Sequence, residues 1–343
     1  MALTAIGRRP RLLVLRALGL GDLLTAVPAL RAIRAARPDH EIVLATHSRW
    51  EPLIRLADVV DTILPTSGLV PLHWTGPAPD AAVNLHGAGP QSHRILAALR
   101  PDELLAFQCA RAEHPGPVWR HDEHEVRRWC RLVGEGWSCT PNPADLRLRR
   151  PALTDTEPLG SDLAATIGPS TGNPTNTVVL HPGAAYPARR WPTQRFATVA
   201  RWAVSQGLRV RITGSTDERD LARAVAIRAG LGPDTVLAGQ TSVEGLAALV
   251  SDARLLVSGD TGIAHLAFAY GTASVTLYGP ISPALWGPPA GGPHLALWNG
   301  VASNQPFAAT LDPALSSIGA DAVVAAAESL LAYDGSDVKA AAS

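Results

Sequence analysis

The turn Gly19-Leu20-Gly21-Asp22 places a carboxylate where it could act as a catalytic base. An apolar run predicted to be a strand precedes the turn, and a helical pattern follows it. An ionised carboxylate at a helix N-terminus could take a proton from a substrate hydroxyl, or it could simply cap the helix. The turn is also half of a dinucleotide-binding fingerprint, but Leu24 replaces the third glycine. The second predicted strand ends without an acidic residue to hold a ribose, which argues against an NAD site.

A second motif, Asp260-Thr261-Gly262, joins a short buried strand to an apolar helix. Thr261 can cap that helix, and Gly262 lets another group approach the backbone closely. Free N–H groups and the helix dipole at such a junction attract anions. His265 follows within the first turns of the helix. Taken alone, the motif also fits a capped core helix with a buried histidine.

A loop that begins at His181 contains two adjacent arginines, Arg189 and Arg190. It follows a predicted strand, so it lies on the edge of the sheet where α/β proteins bind ligands. Forked guanidinium groups are suited to phosphate oxygens. The pair could instead lie on the surface beside Trp191, but its place after a strand favours a phosphate-binding role.

Two more loops on the same edge could complete a nucleotide site. One contains Ser215 and Glu218, whose carboxylate could stabilise a helix start or hold ribose hydroxyls. The other contains Gly239, which could admit a flat base. The sequence therefore predicts that these loops, which lie on one edge of the sheet in the second half of the chain, together bind a nucleotide.

These motifs lie in two series of alternating strands and helices, which predict an α/β fold with two parallel, doubly wound, Rossmann-like domains facing across a cleft. The first series has predicted strands at residues 11–16, 41–46, 62–64, 81–85 and 104–108, and helices at 23–37, 50–57, 92–99 and 122–133. The second has strands at 177–180, 208–213, 235–238, 255–257 and 273–278, and helices at 194–204, 218–229, 243–250, 262–269 and 320–331. We predict an N-terminal domain over residues 1–150, a linker over 151–176, a C-terminal domain over 177–333 and a flexible tail over 334–343.

Composition limits the class of protein. Thirty basic and thirty acidic residues cancel over 343 positions, so nucleic acid is not an expected partner. Three cysteines without a Cys-x-x-Cys pair favour a reducing compartment. No stretch approaches the ~20 apolar residues of a membrane span, so we expect a cytoplasmic protein without stable membrane insertion. No carboxylate or histidine cluster has metal-ligand spacing, and we expect no metal site.

Four segments in this order resemble the heptosyltransferase family, glycosyltransferase family nine: GDLLTAVPALRAIRAARP, HPGAAYPARRWP, GSTDERDLA and VSGDTGIAHLAFAYGTASVTLYGP. The similarity covers most of residues 11–280. It implies the two-domain GT-B architecture and an inverting transfer that uses no metal or other cofactor. The implied substrates are a nucleotide sugar, usually ADP-heptose, and a hydroxyl-bearing acceptor such as a glycan, a glycolipid or a small molecule.

The resemblance also implies roles for particular residues. Asp22 matches the catalytic base, and Arg189 falls where the family usually has a lysine that meets the diphosphate, so it is both a catalytic and a donor-binding candidate. Glu218 falls where the family has an acidic residue near the donor ribose. The complete set of donor-binding candidates is His181, Arg189, Arg190, Ser215, Glu218, Gly239, Asp260, Thr261, Gly262 and His265.

The acceptor side follows the family only loosely. The stretch from Asn84 to Arg94 supplies three of the acceptor-binding candidates, and the complete set is Gly21, His86, Gln91 and Arg94. Two other functions fit a similar double-Rossmann plan. One is a nucleotide-sugar epimerase or dehydrogenase, and the other is a non-catalytic protein that binds sugar nucleotides.

Overall fold

The computed structural model describes residues 9–151, 176–303 and 305–332. The chain divides into two compact units, Met1–Leu148 and Arg149–Ser343. Most of the predicted linker and the whole predicted tail lie outside the described residues. Within the described residues, no helix combines the length and apolar character that a membrane crossing requires.

The N-terminal unit is built on a five-stranded parallel sheet with the order β3-β2-β1-β4-β5. Its central strand, β1, is fully buried from Leu12 to Leu15, as expected of a parallel strand covered on both faces. The strands are β1 (Arg11–Leu15), β2 (Glu41–Thr46), β3 (Thr62–Pro65), β4 (Ala81–Asn84) and β5 (Glu103–Leu105). The helices are α1 (Leu20–Thr25), α2 (Val27–Ala36), α3 (Glu51–Ala57), α4 (Gln91–Ala97) and α5 (Glu125–Trp137), with 3₁₀ turns at Ser48–Trp50 and Ala110–Ala112.

The C-terminal unit repeats this plan, with a second five-stranded parallel sheet in the order β10-β9-β8-β6-β7. Its strands are β6 (Thr177–His181), β7 (Arg209–Ile212), β8 (Leu255–Gly259), β9 (Ser274–Leu277) and β10 (His294–Leu297). The helices are α6 (Thr193–Ser205), α7 (Arg219–Ala229), α8 (Val243–Asp252), α9 (Gly262–Tyr270), α10 (Pro283–Trp286), α11 (Pro313–Ser317) and α12 (Ala320–Ala332). Three 3₁₀ turns, Pro187–Arg189, Thr216–Glu218 and Pro233–Thr235, lie in its loops.

The strand orders locate the ligand-binding edge of each unit. In each sheet the chain reverses direction across the sheet beside its first strand, between β1 and β4 in one unit and between β6 and β8 in the other. The loops at such a switch point diverge and leave a crevice beyond the carboxyl ends of the strands. Asp22 and His86 follow the first pair of strands, and the segments carrying Arg189 and Asp260 follow the second.

Two predicted elements were wrong. The helix predicted at residues 23–37 begins earlier, at Leu20, and is divided at Ala26 into α1 and α2. Pro28 explains the division, because its ring lacks an N–H and collides with the carbonyl group four residues earlier. The strand predicted at 235–238 makes a single bridge between Val236 and Ile212, and β10 extends the sheet at its other edge instead.

Candidate functional site

Asp22 is the third residue of α1, and the helix N-cap is Gly19. The interpretation of Asp22 as the N-cap was therefore wrong. Its Oδ2 accepts a hydrogen bond from the backbone N–H of Gly19 at 3.2 Å, which ties the carboxylate to the first turn. The side chain remains 30% exposed. Gly21, the acceptor candidate in the same turn, is partly buried. The carboxylate is thus held in place and still reaches solvent.

Arg16, at the end of β1, organises the residues around Asp22, and the sequence analysis did not select it. Its side chain is completely buried, with Nη2 3.1 Å from Glu125 Oε1 and 3.5 Å from Asp22 Oδ1. The guanidinium also donates to the carbonyl groups of Asp22 and Leu85 and to Thr25 Oγ1. A charged residue ending an otherwise apolar strand was the available signal, because a buried cation needs an anionic partner.

The electrostatics suit proton acceptance by Asp22. Burial raises the pKa of Asp22; Arg16 opposes this effect and Glu125 adds to it. Burial, with the nearby charges of Arg16 and His47, lowers the pKa of His86 to about 4. His86 is therefore neutral near pH 7, and its Nδ1 accepts the N–H of Ala17 at 3.2 Å. A carboxylate with a raised pKa lies closer to the pH at which general bases work best.

The other two acceptor candidates lie on α4 and contact different loops. Gln91 Nε2 donates to the carbonyl of Leu69 at 3.4 Å, and Arg94 donates to the carbonyl of Arg111. The structure thus brings Gly21 and His86 to the switch point with Asp22, whereas the described bonds of Gln91 and Arg94 stabilise neighbouring loops.

In the C-terminal unit, Arg189 and Asp260 form an ion pair beside the start of α9. Arg189 Nη2 lies 3.0 Å from Asp260 Oδ2 and also donates to the Asp260 carbonyl oxygen. A Cβ atom at Gly259 would lie 3.2 Å from the Arg189 carbonyl oxygen, so glycine permits this close approach. The Arg189 side chain is 26% exposed and that of Asp260 is 10% exposed. The carboxylate therefore orients the guanidinium, which keeps an accessible edge.

The N-terminus of α9 has no side-chain cap. Thr261 is the N-cap, as predicted, but its side chain makes no capping hydrogen bond, and Oγ1 instead contacts the Gly259 carbonyl at 3.4 Å. Gly262 is the first helical residue. Because the Thr261 hydroxyl does not occupy the first-turn N–H groups, these groups and the helix dipole form the kind of site that binds phosphate.

His265 lies inside α9 and is buried. Its ring packs edge-on against Phe268 at 5.3 Å and Trp286 at 5.9 Å. The aromatic contacts place the ring of His265 among apolar side chains one turn into α9, and its predicted role in donor binding stays a prediction.

Tyr278 was not predicted to belong to the site. Its buried hydroxyl donates to the Trp286 carbonyl at 3.2 Å. Burial raises the pKa of Tyr278, the nearby Asp260 raises it further, and Arg189 opposes both effects. Tyr278 directly follows β9, the strand beside β8, and a tyrosine at that end of a strand was the signal that could have identified it.

The loops after β6 and β7 pack together around Glu218. Its Oε2 accepts the N–H of Ser215 at 2.8 Å, in a reciprocal capping arrangement with the Ser215 side chain. His181 Nδ1 lies 2.9 Å from Thr213 Oγ1. Burial lowers the pKa of His181, and Glu218 opposes the shift. The carboxylate of Glu218 therefore has a structural role at a helix start, as one of the two predicted interpretations holds.

Gly239 and Arg190 brace loops. A Cβ atom at Gly239, where φ is +70°, would lie 2.8 Å from Thr216 Cα and 2.9 Å from Arg219 Nη2. The neighbouring loop thus occupies the side-chain position of Gly239, and the role of Gly239 beside a flat base stays a prediction. Arg190 Nε donates to the Ala184 carbonyl at 2.8 Å, which ties the guanidinium to its own loop.

Gly183→Ala should test the packing of these two loops. The new Cβ would lie 2.3 Å from the Glu218 carboxyl carbon, so the Glu218 side chain must swing away and lose its bond to Ser215. Loss of one hydrogen bond costs about 1 kcal/mol, equivalent to a fall in melting temperature of roughly 2–4 °C for a unit of this size. Gly319→Ala is the matched control, because nothing lies within 4 Å of that Cβ position. Equal melting temperatures for both variants would contradict this account of Gly183.

Comparisons with known proteins identify the family. The family model described as glycosyltransferase family 9 (heptosyltransferase) matches residues 112–306. Lipooligosaccharide heptosyltransferase 2 of Haemophilus ducreyi is 32% identical over 168 residues, which are 46% of this chain and 47% of that protein. Lipopolysaccharide heptosyltransferase 1 of Pseudomonas aeruginosa is 30% identical over 188 residues, which are 54% of this chain and 47% of that protein. The matches thus span about half the length of each relative.

Solved structures share the fold over nearly the whole chain. A glycosyl transferase family 9 structure from Veillonella parvula covers 97% of this chain and 99% of its own, with a TM-score of 0.76 and 21% identity. The structure of E. coli ADP-heptose lps heptosyltransferase II covers 94% of this chain and 98% of its own, with a TM-score of 0.71 and 20% identity. Two Rossmann-like α/β units with this likeness confirm the predicted GT-B fold. The chain belongs to glycosyltransferase family 9, the heptosyltransferases.

Proposed function

We propose that this chain is an inverting glycosyltransferase that moves heptose from ADP-heptose to a hydroxyl group of a glycan or glycolipid acceptor. The observation that carries the proposal is the Arg189–Asp260 pair beside the N-terminus of α9, where an oriented guanidinium and first-turn N–H groups meet. This combination suits a diphosphate, because it supplies both a fixed cation and neutral hydrogen-bond donors.

The donor nucleotide binds at the switch point of the C-terminal sheet. Arg189 and the N–H groups at Thr261 and Gly262 bind the diphosphate and stabilise the negative charge that develops on it as it leaves. Asp260 holds Arg189 in place through the 3.0 Å ion pair. The adenosine extends toward the loops that contain Glu218 and Gly239, on the same edge of the sheet.

Asp22 is the base. Its carboxylate takes the proton of the acceptor hydroxyl while the hydroxyl oxygen attacks the anomeric carbon of the donor sugar. The bond between that carbon and the diphosphate oxygen breaks, and its electron pair leaves with ADP. Attack from the face opposite the leaving group inverts the anomeric centre. The raised pKa of Asp22, caused chiefly by burial, makes its carboxylate a better proton acceptor than an exposed aspartate.

The choice of heptose and of acceptor rests on the relatives. The matched proteins from Haemophilus ducreyi and Pseudomonas aeruginosa are named as lipooligosaccharide and lipopolysaccharide heptosyltransferases. We therefore propose a lipopolysaccharide-type core saccharide as the acceptor and ADP as the nucleotide of the donor. No further cofactor takes part.

Turnover should not require a divalent cation. No group of three or more His, Cys, Asp or Glu side chains in the described part of the chain is arranged to hold a metal ion. Arg189 and the α9 N-terminus supply the positive potential that Mg²⁺ supplies in many sugar-nucleotide enzymes. We expect transfer rates to be equal with and without EDTA. Activity that disappears in EDTA and returns with Mg²⁺ or Mn²⁺ would contradict this prediction.

A panel of ADP-, GDP-, UDP- and dTDP-sugars in a thermal-shift assay tests the donor assignment. A ligand at 100 times its Kd stabilises the folded state by about 2.7 kcal/mol, so selective binding raises the melting temperature selectively. We expect ADP-sugars to give the largest shift. An equal shift with every nucleotide, or none with ADP-sugars, would contradict the assignment. Incubation with donor alone identifies an epimerase, which would return an altered sugar. Incubation with donor and added NAD identifies a dehydrogenase, which would form NADH.

A further inference from the structure

Glu125 is a buried carboxylate 103 positions along the chain from Asp22, and the proposed reaction assigns it no task. It is the first residue of α5, and only 7% of its side chain is exposed. A buried carboxylate is costly unless charged or hydrogen-bonding partners surround it. Its location beside the proposed base therefore calls for a physical explanation.

Both oxygens of Glu125 are held by donors. Oε1 accepts from Trp129 Nε1 at 2.8 Å and lies 3.1 Å from Arg16 Nη2, while Oε2 pairs with Arg128. Arg128 is itself fixed by the carbonyl groups of Arg120 and Glu123 at 3.0 and 2.8 Å. Glu125 is thus locked in one position against Arg16.

Arg16 lies between two carboxylates, and its two ion pairs differ in length and in burial. Its Nη2 is 3.1 Å from Glu125 but 3.5 Å from Asp22, and the Asp22 side chain is 30% exposed. A shorter and more buried ion pair is stronger, because the attraction grows as the distance and the effective dielectric constant fall. Arg16 therefore pairs more strongly with Glu125 than with Asp22.

The other charged or titratable groups around these two carboxylates are His86, His47, Arg49 and Arg128. His86 is neutral near pH 7, with a pKa lowered to about 4 chiefly by burial. Burial and the nearby Arg49 lower the pKa of His47, which lies close to His86. Arg128 is paired with Glu125. The protonation of Asp22 is thus governed by its partial burial, by Arg16 and Glu125, and by the hydrogen bond from the Gly19 N–H.

We propose that Glu125 is a positioning residue for sugar transfer. It holds Arg16 in a short, buried ion pair, so that Arg16 pairs less strongly with Asp22. Asp22 thereby keeps the basicity needed to accept the proton of the acceptor hydroxyl. Without the Glu125 charge, Arg16 would pair fully with Asp22 and stabilise its ionised form, which would make Asp22 a weaker base. This role rests on the proposed function of Asp22.

The test is the pH dependence of kcat/KM, which reports the ionisation of the free enzyme. In Glu125→Gln, we expect the acid limb of the kcat/KM profile to move to lower pH and the plateau value of kcat/KM to fall by about 10-fold or less. Removing the base itself should cost about 10²–10⁴-fold. Glu125→Asp keeps the charge and should restore a profile close to the original one. Glu123→Gln is the matched control, because Glu123 pairs with Arg131 at 2.7 Å and should leave the profile unchanged.

The outcomes separate the two proposals. Suppose that Asp22→Asn is inactive, and that a folded Glu125→Gln protein keeps the original acid limb or shows one at higher pH. The proposed role of Glu125 is then overturned, while the assignment of Asp22 as the base is supported. If Asp22→Asn retains turnover, both are overturned. Should Glu125→Gln fail to fold, Arg128→Gln decides by carboxyl ¹³C NMR, with the Asp22 signal assigned from Asp22→Asn. Loss of the Arg128 charge leaves Glu125 to pair with Arg16 alone, so an Asp22 midpoint above that of the unaltered protein supports the proposal, and an unchanged or lower midpoint overturns it.

Discussion

Replacing Asp22 by asparagine should lower kcat by roughly 10²–10⁴-fold, the usual size of general-base assistance, while ADP affinity stays nearly unchanged. Asparagine has the same shape, and its carbonyl oxygen can still accept the Gly19 N–H. It does not accept a proton near neutral pH. The expected pattern is therefore loss of the chemical step without loss of structure, measured as single-turnover transfer and melting temperature on the same preparation.

Stability distinguishes a catalytic Asp22 from a purely structural one. The pKa of Asp22 is raised in the folded protein, first by burial, with Glu125 adding and Arg16 opposing. A group with a raised pKa contributes stability that is fully present below its unfolded pKa and is lost as pH rises through its folded pKa. Above the folded pKa of Asp22, the ionised carboxylate therefore adds no stability through this effect. Asp22→Asn should therefore keep the free energy of unfolding within about 1 kcal/mol of the original or increase it.

Asp61→Asn is the matched control in the same unit. Burial alone would raise the pKa of Asp61, but the Ile42 N–H and the guanidinium groups of Arg34 and Arg9 together lower it. The resulting stability is present above the unfolded pKa and lost as pH falls through the folded pKa. Asp61→Asn should therefore lower the melting temperature at pH 7 and leave transfer unchanged. If a folded Asp22→Asn enzyme turns over normally, Asp22 is reduced to a helix-start residue.

Arg189→Ala should weaken ADP binding by about 1.5–3 kcal/mol, or roughly 10- to 150-fold, because truncation removes a charged hydrogen-bond donor from the proposed diphosphate site. Calorimetry with ADP measures the effect directly. The substitution also removes the 3.0 Å partner of Asp260, so the melting temperature must be measured on the same sample.

Arg223→Ala is the control for the change in net charge. Arg223 lies on α7, and its side chain is 59% exposed and 3.6 Å from Asp220. We expect ADP affinity to be unchanged in this variant, since surface ion pairs contribute little. Unchanged ADP affinity in a folded Arg189→Ala protein would show that the loop carrying Arg189 does not bind the diphosphate.

Much of the fold could be predicted from the sequence because parallel strands are short apolar runs separated by helical patterns. The buried run in β1 and the helix start after Asp260 are both local signals. The edge strand β10 escaped prediction because it is only four residues long and lies in a stretch rich in Pro and Gly. The break between α1 and α2 escaped prediction because the apolar residues keep a helical spacing across it, and only Pro28 signals the interruption.

The site was predictable to the extent that its chemistry lies in loops after strands. Asp22, Arg189 and Asp260 each occur beside a recognisable turn. The Arg16–Glu125 pair was not predictable, because its partners are 109 positions apart and only the packing of α5 brings them together. Gly239 has a second reason to be glycine that the sequence did not reveal, since a side chain there would meet Thr216 and Arg219 of the neighbouring loop.

The most direct test of the central claim is to incubate the protein with ADP-heptose and a panel of truncated lipopolysaccharide acceptors, and to determine the anomeric configuration of the product by NMR. The account predicts one ADP released for each heptose transferred, with the anomeric centre inverted relative to the donor. A product that retains the donor configuration would contradict the single-displacement mechanism. A donor that binds but is consumed with none of the acceptors, or is returned as an altered sugar, would contradict the assignment as a heptosyltransferase.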